Sequence, residues 1–233
     1  MDLILIGFVL ALSVGAIIAA RYILKLRSYD PTVWERSIRK FERSDTIHEG
    51  VIVFAGSSSI RYWKTLQNDM KPLLTINRGF GGSRIPDVTH YVNRIVMPHN
   101  PRGVVFYAGE NDIAGLPLVP KRTAELVLNS FKDFCAEIFK SASETRIFFI
   151  SIKAAKRRIK SWPEMKKANK LILDYCQSDE RLMYIDVVPV MQDENGNTKA
   201  ELFKWDGIHL NDKGYELWTS VVKPILLDAF SNE

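Results

Sequence analysis

The chain has 233 residues, 46% of them hydrophobic and 25% charged, with 32 Lys and Arg against 27 Asp and Glu for a net charge of +5. This composition excludes a disordered or collagen-like polymer, and a chain of this length buries roughly 70% of the surface it exposes when unfolded, so one domain needs no disulfide or metal to hold it. Cys135 and Cys176 are far apart and form no CxxC pair, which speaks against a disulfide framework, a zinc ribbon or a thioredoxin-type site; both read as small buried apolar residues.

From Leu3 to Ala20 the chain carries no charge. As a helix this run is about 27 Å long, close to what a bilayer core requires. A membrane anchor is the first reading. A cleaved signal peptide would need a basic stretch in front, and only Asp2 is there, although Ala19 and Ala20 leave a cleavage site open. Arg21, Lys25 and Arg27 all follow the run, so the positive-inside rule predicts a single-pass anchor with the rest of the protein in the cytoplasm, the alternative being export. The expected organisation is an anchor or signal-like segment over residues 1–27, a connecting helix and linker over 28–49, and the main domain over 50–233.

Asp30-Pro31 reads as the N-cap and first position of the connecting helix, with Val33, Trp34, Ile38 and Phe41 on one face. Beyond it, short apolar, β-branched runs alternate with amphipathic stretches. The runs, predicted as strands, are Val51 to Ala55, Leu73 to Ile76, Val104 to Ala108, Ile147 to Ile152 and Leu182 to Val187. The stretches, predicted as helices, lie near Ile60 to Leu66, Ile85 to Ile95, Thr123 to Phe139, Glu164 to Cys176 and Lys213 to Phe230. Five strands, each followed by a helix, imply an α/β fold: a three-layer α/β/α sandwich around a five-stranded parallel sheet, with chemistry at the carboxyl ends of the strands.

Four strand exits and loops carry side chains suited to chemistry. The first reads Gly56-Ser57-Ser58-Ser59-Ile60. Serines after a glycine at a helix start commonly serve as N-caps, yet a serine there also has its hydroxyl at the rim with helix amides beside it. The G-x-S-x-G elbow of α/β-hydrolases is absent, because Ile60 stands where glycine is required. The second exit, Gly79-Phe80-Gly81-Gly82-Ser83-Arg84, lacks the spacing of a dinucleotide fingerprint; it reads as a flexible turn or as a source of a bare glycine amide. The third, Gly109-Glu110-Asn111-Asp112, sets an amide donor between two carboxylates. These carboxylates could ligate a metal, but no nearby histidine pair completes a typical set. The fourth, Trp205-Asp206-Gly207-Ile208-His209, puts a carboxylate three residues before an imidazole, close enough to fix the tautomer a general base requires. His48, His90 and His99 have no such partner.

Taken in order, Gly-x-Ser, a Gly-rich turn, Gly-x-Asn-Asp and a late Asp-x-x-His resemble the SGNH (GDSL-type) hydrolases over about residues 50 to 230. The resemblance implies a flavodoxin-like sandwich of the SGNH type and a serine ester hydrolase with no metal or cofactor. It implies Ser58 as nucleophile, His209 as base and Asp206 as its orienting acid, with Ser58, Gly82 and Asn111 supplying the oxyanion hole. One departure is that the family's usual Gly-Asp-Ser-Leu is here Gly56-Ser57-Ser58-Ser59; members with a Gly-Ser-Ser-Ser-Ile version favour Ser58.

Charge patterning addresses the substrate. Between Lys153 and Lys170 lie eight basic residues and one acid, Glu164. Such a stripe is a solvated helix face or a surface for an anionic membrane or substrate; a nucleic-acid groove would interleave it with exposed aromatics. Lys153, Arg61 and Arg84, near strand exits, are candidate contacts to a phosphate or carboxylate, and Trp162 and Trp205 candidate walls of an acyl pocket. The expected partners are a small-molecule or lipid ester and, through residues 3–20, a membrane. Competing readings are a carbohydrate acetylesterase acting outside the cytoplasm and a catalytically silent module that binds anionic lipid.

Overall fold

The computed structural model describes residues 3–27, 30–44, 46–115 and 120–230. Five parallel strands form one sheet: β1 (Ile52–Gly56), β2 (Thr75–Gly79), β3 (Gly103–Tyr107), β4 (Arg146–Ile150) and β5 (Leu182–Ile185), in the order β2-β1-β3-β4-β5. β1 is central, with Ile52 opposite both Thr75 and Gly103. Every residue of β1 and β3 is buried, as expected of parallel strands covered on both faces.

Alternation along the strands divides the interior in two. Val53, Ala55, Val104, Phe106, Ile147 and Phe149 face one layer, built from α2 (Glu35–Ser44), α5 (Ile85–Ile95), α7 (Ala124–Phe139) and α8 (Trp162–Cys176). Ile52, Phe54, Val105, Tyr107, Phe148 and Ile150 face the other, closed by α3 (Ser58–Arg61), α4 (Leu66–Asp69) and α9 (Asp212–Ala229). Phe106 stacks on Phe134 at 4.0 Å in the first layer, and Trp63 stacks on Tyr215 at 5.4 Å in the second. Cys135 and Cys176 are free, buried thiols. The three-layer sandwich and its five strands are therefore those the sequence predicts.

Three local differences have physical causes. β2 begins at Thr75 and runs on to Gly79, two to three residues later than its apolar run. Leu74 is exposed, whereas the polar Asn77 and Arg78 are accommodated: Asn77 Nδ2 donates to the Ile60 carbonyl at 2.6 Å, and the Arg78 guanidinium lies 3.0 Å from the His99 ring. The single helix predicted near 60–66 is instead the pair α3 and α4. Between them the chain turns at Trp63, whose buried indole donates to Asp69 at 2.6 Å. Gly109-Glu110-Asn111-Asp112 opens a short helix, α6 (Glu110–Ala114), with Gly109 at φ +106° as its N-cap.

The amino-terminal helix α1 (Leu3–Arg27) is apolar and long enough to cross a membrane, with a mean hydropathy of 2.0 over Gly7–Lys25 and none of that stretch buried. A 3-10 turn follows at Pro31–Trp34, capped by Asp30, which accepts the Thr32 amide at 2.9 Å. Trp34 and Ile38 are buried and bring α2 against α5. Trp34 meets the loop after β2, and His48, beyond the end of α2, meets His99, just ahead of β3. The connecting helix therefore descends from the carboxyl end of the sheet to its amino end.

Candidate active site

Gly56 ends β1 at φ +142°, and a Cβ there would stand 2.0 Å from the Tyr107 carbonyl oxygen, so only glycine lets the chain leave between β1 and β3. Two residues on, Ser58 opens α3 with its hydroxyl at the rim. Across the site, the loop before α9 is folded on itself: Asp206 Oδ1 accepts the amides of Ile208 and His209, each at 2.9 Å. Asp206 Oδ2 lies 2.6 Å from His209 Nδ1, and His209 Nε2 lies 3.0 Å from Ser58 Oγ. Partial burial would raise the Asp206 pKa, but the hydrogen bonds from the His209 ring and the two amides outweigh it and hold the carboxyl at about 2. The edge of Tyr62 packs against the imidazole at 4.9 Å between ring centres.

The turn after β2 is braced onto the same place. The Phe80 amide donates to the Gly56 carbonyl at 3.0 Å, and Ser83 Oγ donates to Gly56 and Phe80 carbonyls at 3.2 and 2.9 Å. Gly82 has φ +80° and faces open space. From outside, the Trp34 indole donates to the Gly81 carbonyl at 2.8 Å. Asn111, buried at the start of α6, donates through Nδ2 to the Ser83 carbonyl at 3.0 Å, which leaves its second amide hydrogen for another acceptor. Its Oδ1 accepts from Arg158 Nη1 at 2.9 Å. Ser58, the 80–83 turn and Asn111 are thus linked through Gly56 and Ser83.

Arg158 carries little signal in the sequence, where it is one cation in a basic stripe. In the structure it spans Asn111 and Glu110, with Nη1 3.2 Å from Glu110 Oε1. Glu110 is buried and would be raised by desolvation, but Lys153 and Arg158 hold its pKa below the usual range. Lys153 corrects an expectation. It is wholly buried and donates to Glu110, to the Tyr107 hydroxyl at 3.1 Å and to Ser59 Oγ at 3.2 Å, so it faces the interior and not a substrate. Arg84 is likewise 1% exposed and held by Asp87 at 2.8 and 3.0 Å, which removes it as a substrate contact. Of the three cations considered, only Arg61 stays at the rim, exposed beside Gly81 and 5.5 Å from the Tyr62 ring centre. Trp162 packs against the first core layer and lines a groove with Lys166, Tyr184 and Asp186 that contains neither Ser58 nor His209, and Trp205 is 95% exposed, so neither walls an acyl pocket beside Ser58.

Asp112 is wholly buried. Desolvation raises its pKa to about 7, Arg122 opposing and Asp87 adding to the rise, while Oδ2 accepts the Ile85 amide at 3.3 Å. The folded protein therefore keeps a proton that the unfolded chain loses near pH 4. The stability this confers is fully present below that pH and is lost as pH climbs through 7. Urea unfolding is expected to give a wild-type stability lower at pH 8 than at pH 5 by about 3 kcal/mol from this group, and Asp112→Asn is expected to flatten that decline.

The sequence matches the model of the GDSL-like lipase/acylhydrolase family over residues 45–217. No curated protein matches the chain. Among solved structures it is similar to a Streptococcus pneumonia protein provisionally described as a platelet activating factor, with 19% identity, a TM-score of 0.73, and 92% of this chain and 99% of the other covered. A GDSL-like lipase from Bacteroides thetaiotaomicron gives 20% identity, a TM-score of 0.70 and coverage of 83% and 98%. A family 3 carbohydrate esterase from Talaromyces cellulolyticus gives 16%, 0.62, 78% and 99%. At these identities the likeness is one of fold.

Proposed function

The chain belongs to the GDSL-like lipase/acylhydrolase family, and from that premise we propose that it cleaves carboxylic esters through a Ser58–His209–Asp206 triad and an acyl-enzyme. The reading rests on one observation above all: the unbroken line from Ser58 Oγ to His209 Nε2 at 3.0 Å and from His209 Nδ1 to Asp206 at 2.6 Å. His209 takes the serine proton as Ser58 attacks the ester carbonyl, and returns it to the departing alcohol. Asp206, ionised across the working range, steadies the imidazolium. Water then repeats the sequence on the acyl-enzyme and frees the acid and the serine.

As the carbonyl becomes tetrahedral, its oxygen gains negative charge. The amides of Ser58 and Gly82 and the second amide hydrogen of Asn111 are the donors assigned to it, with Arg158 and Ser83 fixing the Asn111 side chain. Asn111→Ala is expected to lower kcat on a p-nitrophenyl ester about 100-fold with little change in KM, because this hydrogen bond is strongest in the transition state.

A fluorophosphonate probe tests the proposal directly. A mass adduct on the peptide bearing Ser58, abolished by Ser58→Ala, is the expected result; an intact protein that remains unlabelled would remove the serine from the chemistry. A chain-length series of p-nitrophenyl esters then separates substrate classes, with an acetate optimum pointing to a sugar-ester substrate and a long-chain optimum to a lipid.

We assign α1 to the membrane as a single-pass anchor with the hydrolase domain on the cytoplasmic side, since Arg21, Lys25 and Arg27 follow the apolar stretch. Protease digestion of sealed vesicles of known orientation checks this placement. The combination favours an amphiphilic ester presented at a lipid surface.

A further inference from the structure

Where α1 joins the fold determines which way the site faces. The Asp30 amide bonds the Lys25 carbonyl at 2.9 Å, Lys25 Nζ reaches Thr32 Oγ1 at 2.9 Å, and Trp34 is hydrogen-bonded to Gly81, next to the proposed oxyanion donor Gly82. From Arg27 to Pro31 there are four residue steps, about 14 Å even at full extension. The helix therefore meets the domain at the carboxyl end of the sheet, the end that holds Ser58, Asn111 and His209, and α2 leads away from it.

The same end carries the most exposed aromatic side chain of the described residues that are large and hydrophobic. Trp205, 95% exposed, immediately precedes Asp206. Its loop is tied to the 3-10 turn Lys156–Ser161 by a hydrogen bond from the Arg157 amide to the Gly207 carbonyl at 3.1 Å, and that turn exposes Ile159. Around these two lie Lys156, Arg157, Lys160 and Lys204, all exposed, with Lys204 Nζ 5.1 Å above the Tyr62 ring. An isolated tryptophan in water leaves a large apolar surface and an N–H donor unused, whereas at a bilayer interface both are satisfied. Lysine and arginine beside it are attracted to an anionic leaflet.

We infer that this end of the domain lies against an anionic lipid surface, Trp205 and Ile159 entering the headgroup layer inside a collar formed by Lys156, Arg157, Lys160 and Lys204. The inference rests on the assignment of α1 to the membrane. The catalytic serine then opens onto the bilayer, and its ester is drawn from the lipid phase instead of from solution. Asp193, Glu194 and Glu201, exposed on the preceding segment, oppose the collar, so lipid charge is varied in the test.

The full chain, reconstituted in nanodiscs of brominated phosphatidylglycerol or brominated phosphatidylcholine, provides that test. Subtracting the emission of Trp205→Phe from that of the wild type isolates Trp205. In phosphatidylglycerol the difference emission is expected to be blue-shifted, shielded from acrylamide and more than half quenched by bromine. In phosphatidylcholine, or with the four collar residues changed to Gln, the quenching is expected to fall at least twofold. A red-shifted, acrylamide-accessible and unquenched Trp205 in both lipids would overturn the inference, and equal quenching in both would overturn the role of the collar. Fluorophosphonate labelling of the same samples keeps the two readings apart. Labelling without quenching refutes the orientation alone, while quenching without labelling supports the orientation and refutes the hydrolase.

Discussion

Ester hydrolysis by Ser58→Ala is expected to fall about a million-fold in kcat, and His209→Ala is expected to fall as far. In the proposed mechanism the two residues are one device. Among the described residues the base hydrogen-bonded to the serine hydroxyl is His209, and the imidazole has its Nδ1 side engaged by Asp206, which leaves Nε2 facing the serine. Removing either group abolishes the same proton transfer, so the double variant should be no slower than either single one. Losses that multiplied in the double variant would indicate independent roles and contradict the triad. Asp206→Asn is expected to cost about ten-thousand-fold, since the amide can present a hydrogen to Nδ1 and hold the wrong tautomer. Steady-state rates on a chromogenic ester, with far-ultraviolet circular dichroism to confirm folding, provide the measurement.

The second large effect concerns stability. Lys153→Met is expected to destabilise the domain by about 3–5 kcal/mol, because it leaves the Glu110 carboxylate buried with one fewer cation. Arg158 would remain beside Glu110, but the carboxylate would lose the ammonium that also serves Tyr107 and Ser59. Glu110→Gln strands the buried lysine in the same way. Combining the two changes removes both charges, so the double variant should recover much of the loss, a coupling that urea unfolding of the four-member cycle would reveal. If each single change cost less than about 1 kcal/mol, the pair would not be a buried charge centre. Because Arg158 also holds Asn111, Glu110→Gln is further expected to lower kcat before it affects KM.

The five strands were legible because parallel strands buried on both faces are written as continuous apolar runs, and Val104 to Ala108 is the clearest case. The same rule puts β2 too early: Leu73 and Leu74 satisfy an apolar pattern, while Asn77 and Arg78 fit an edge strand only because Ile60 and His99 lie in reach. The candidate site residues were legible as four blocks next to strand or helix ends, and the fold brings Ser58, Asp206 and His209 into one hydrogen-bonded line. The second ring of residues was not. A lysine after a strand reads as a surface charge, and the acid that draws Lys153 inward lies 43 residues earlier in the chain. Arg158 was hidden among charges that do face solvent. Only proximity in three dimensions separates these two from Lys156 and Arg157.

The indole of Trp34 ties the segment after α1 to the turn carrying Gly81 and Gly82. Shortening the chain to obtain a freely soluble enzyme therefore has a hidden chemical cost. A version starting beyond residue 44 would keep every block of the family pattern yet lose the brace behind one proposed oxyanion donor, and a weak rate from such a preparation would reflect the excision and not the native catalyst.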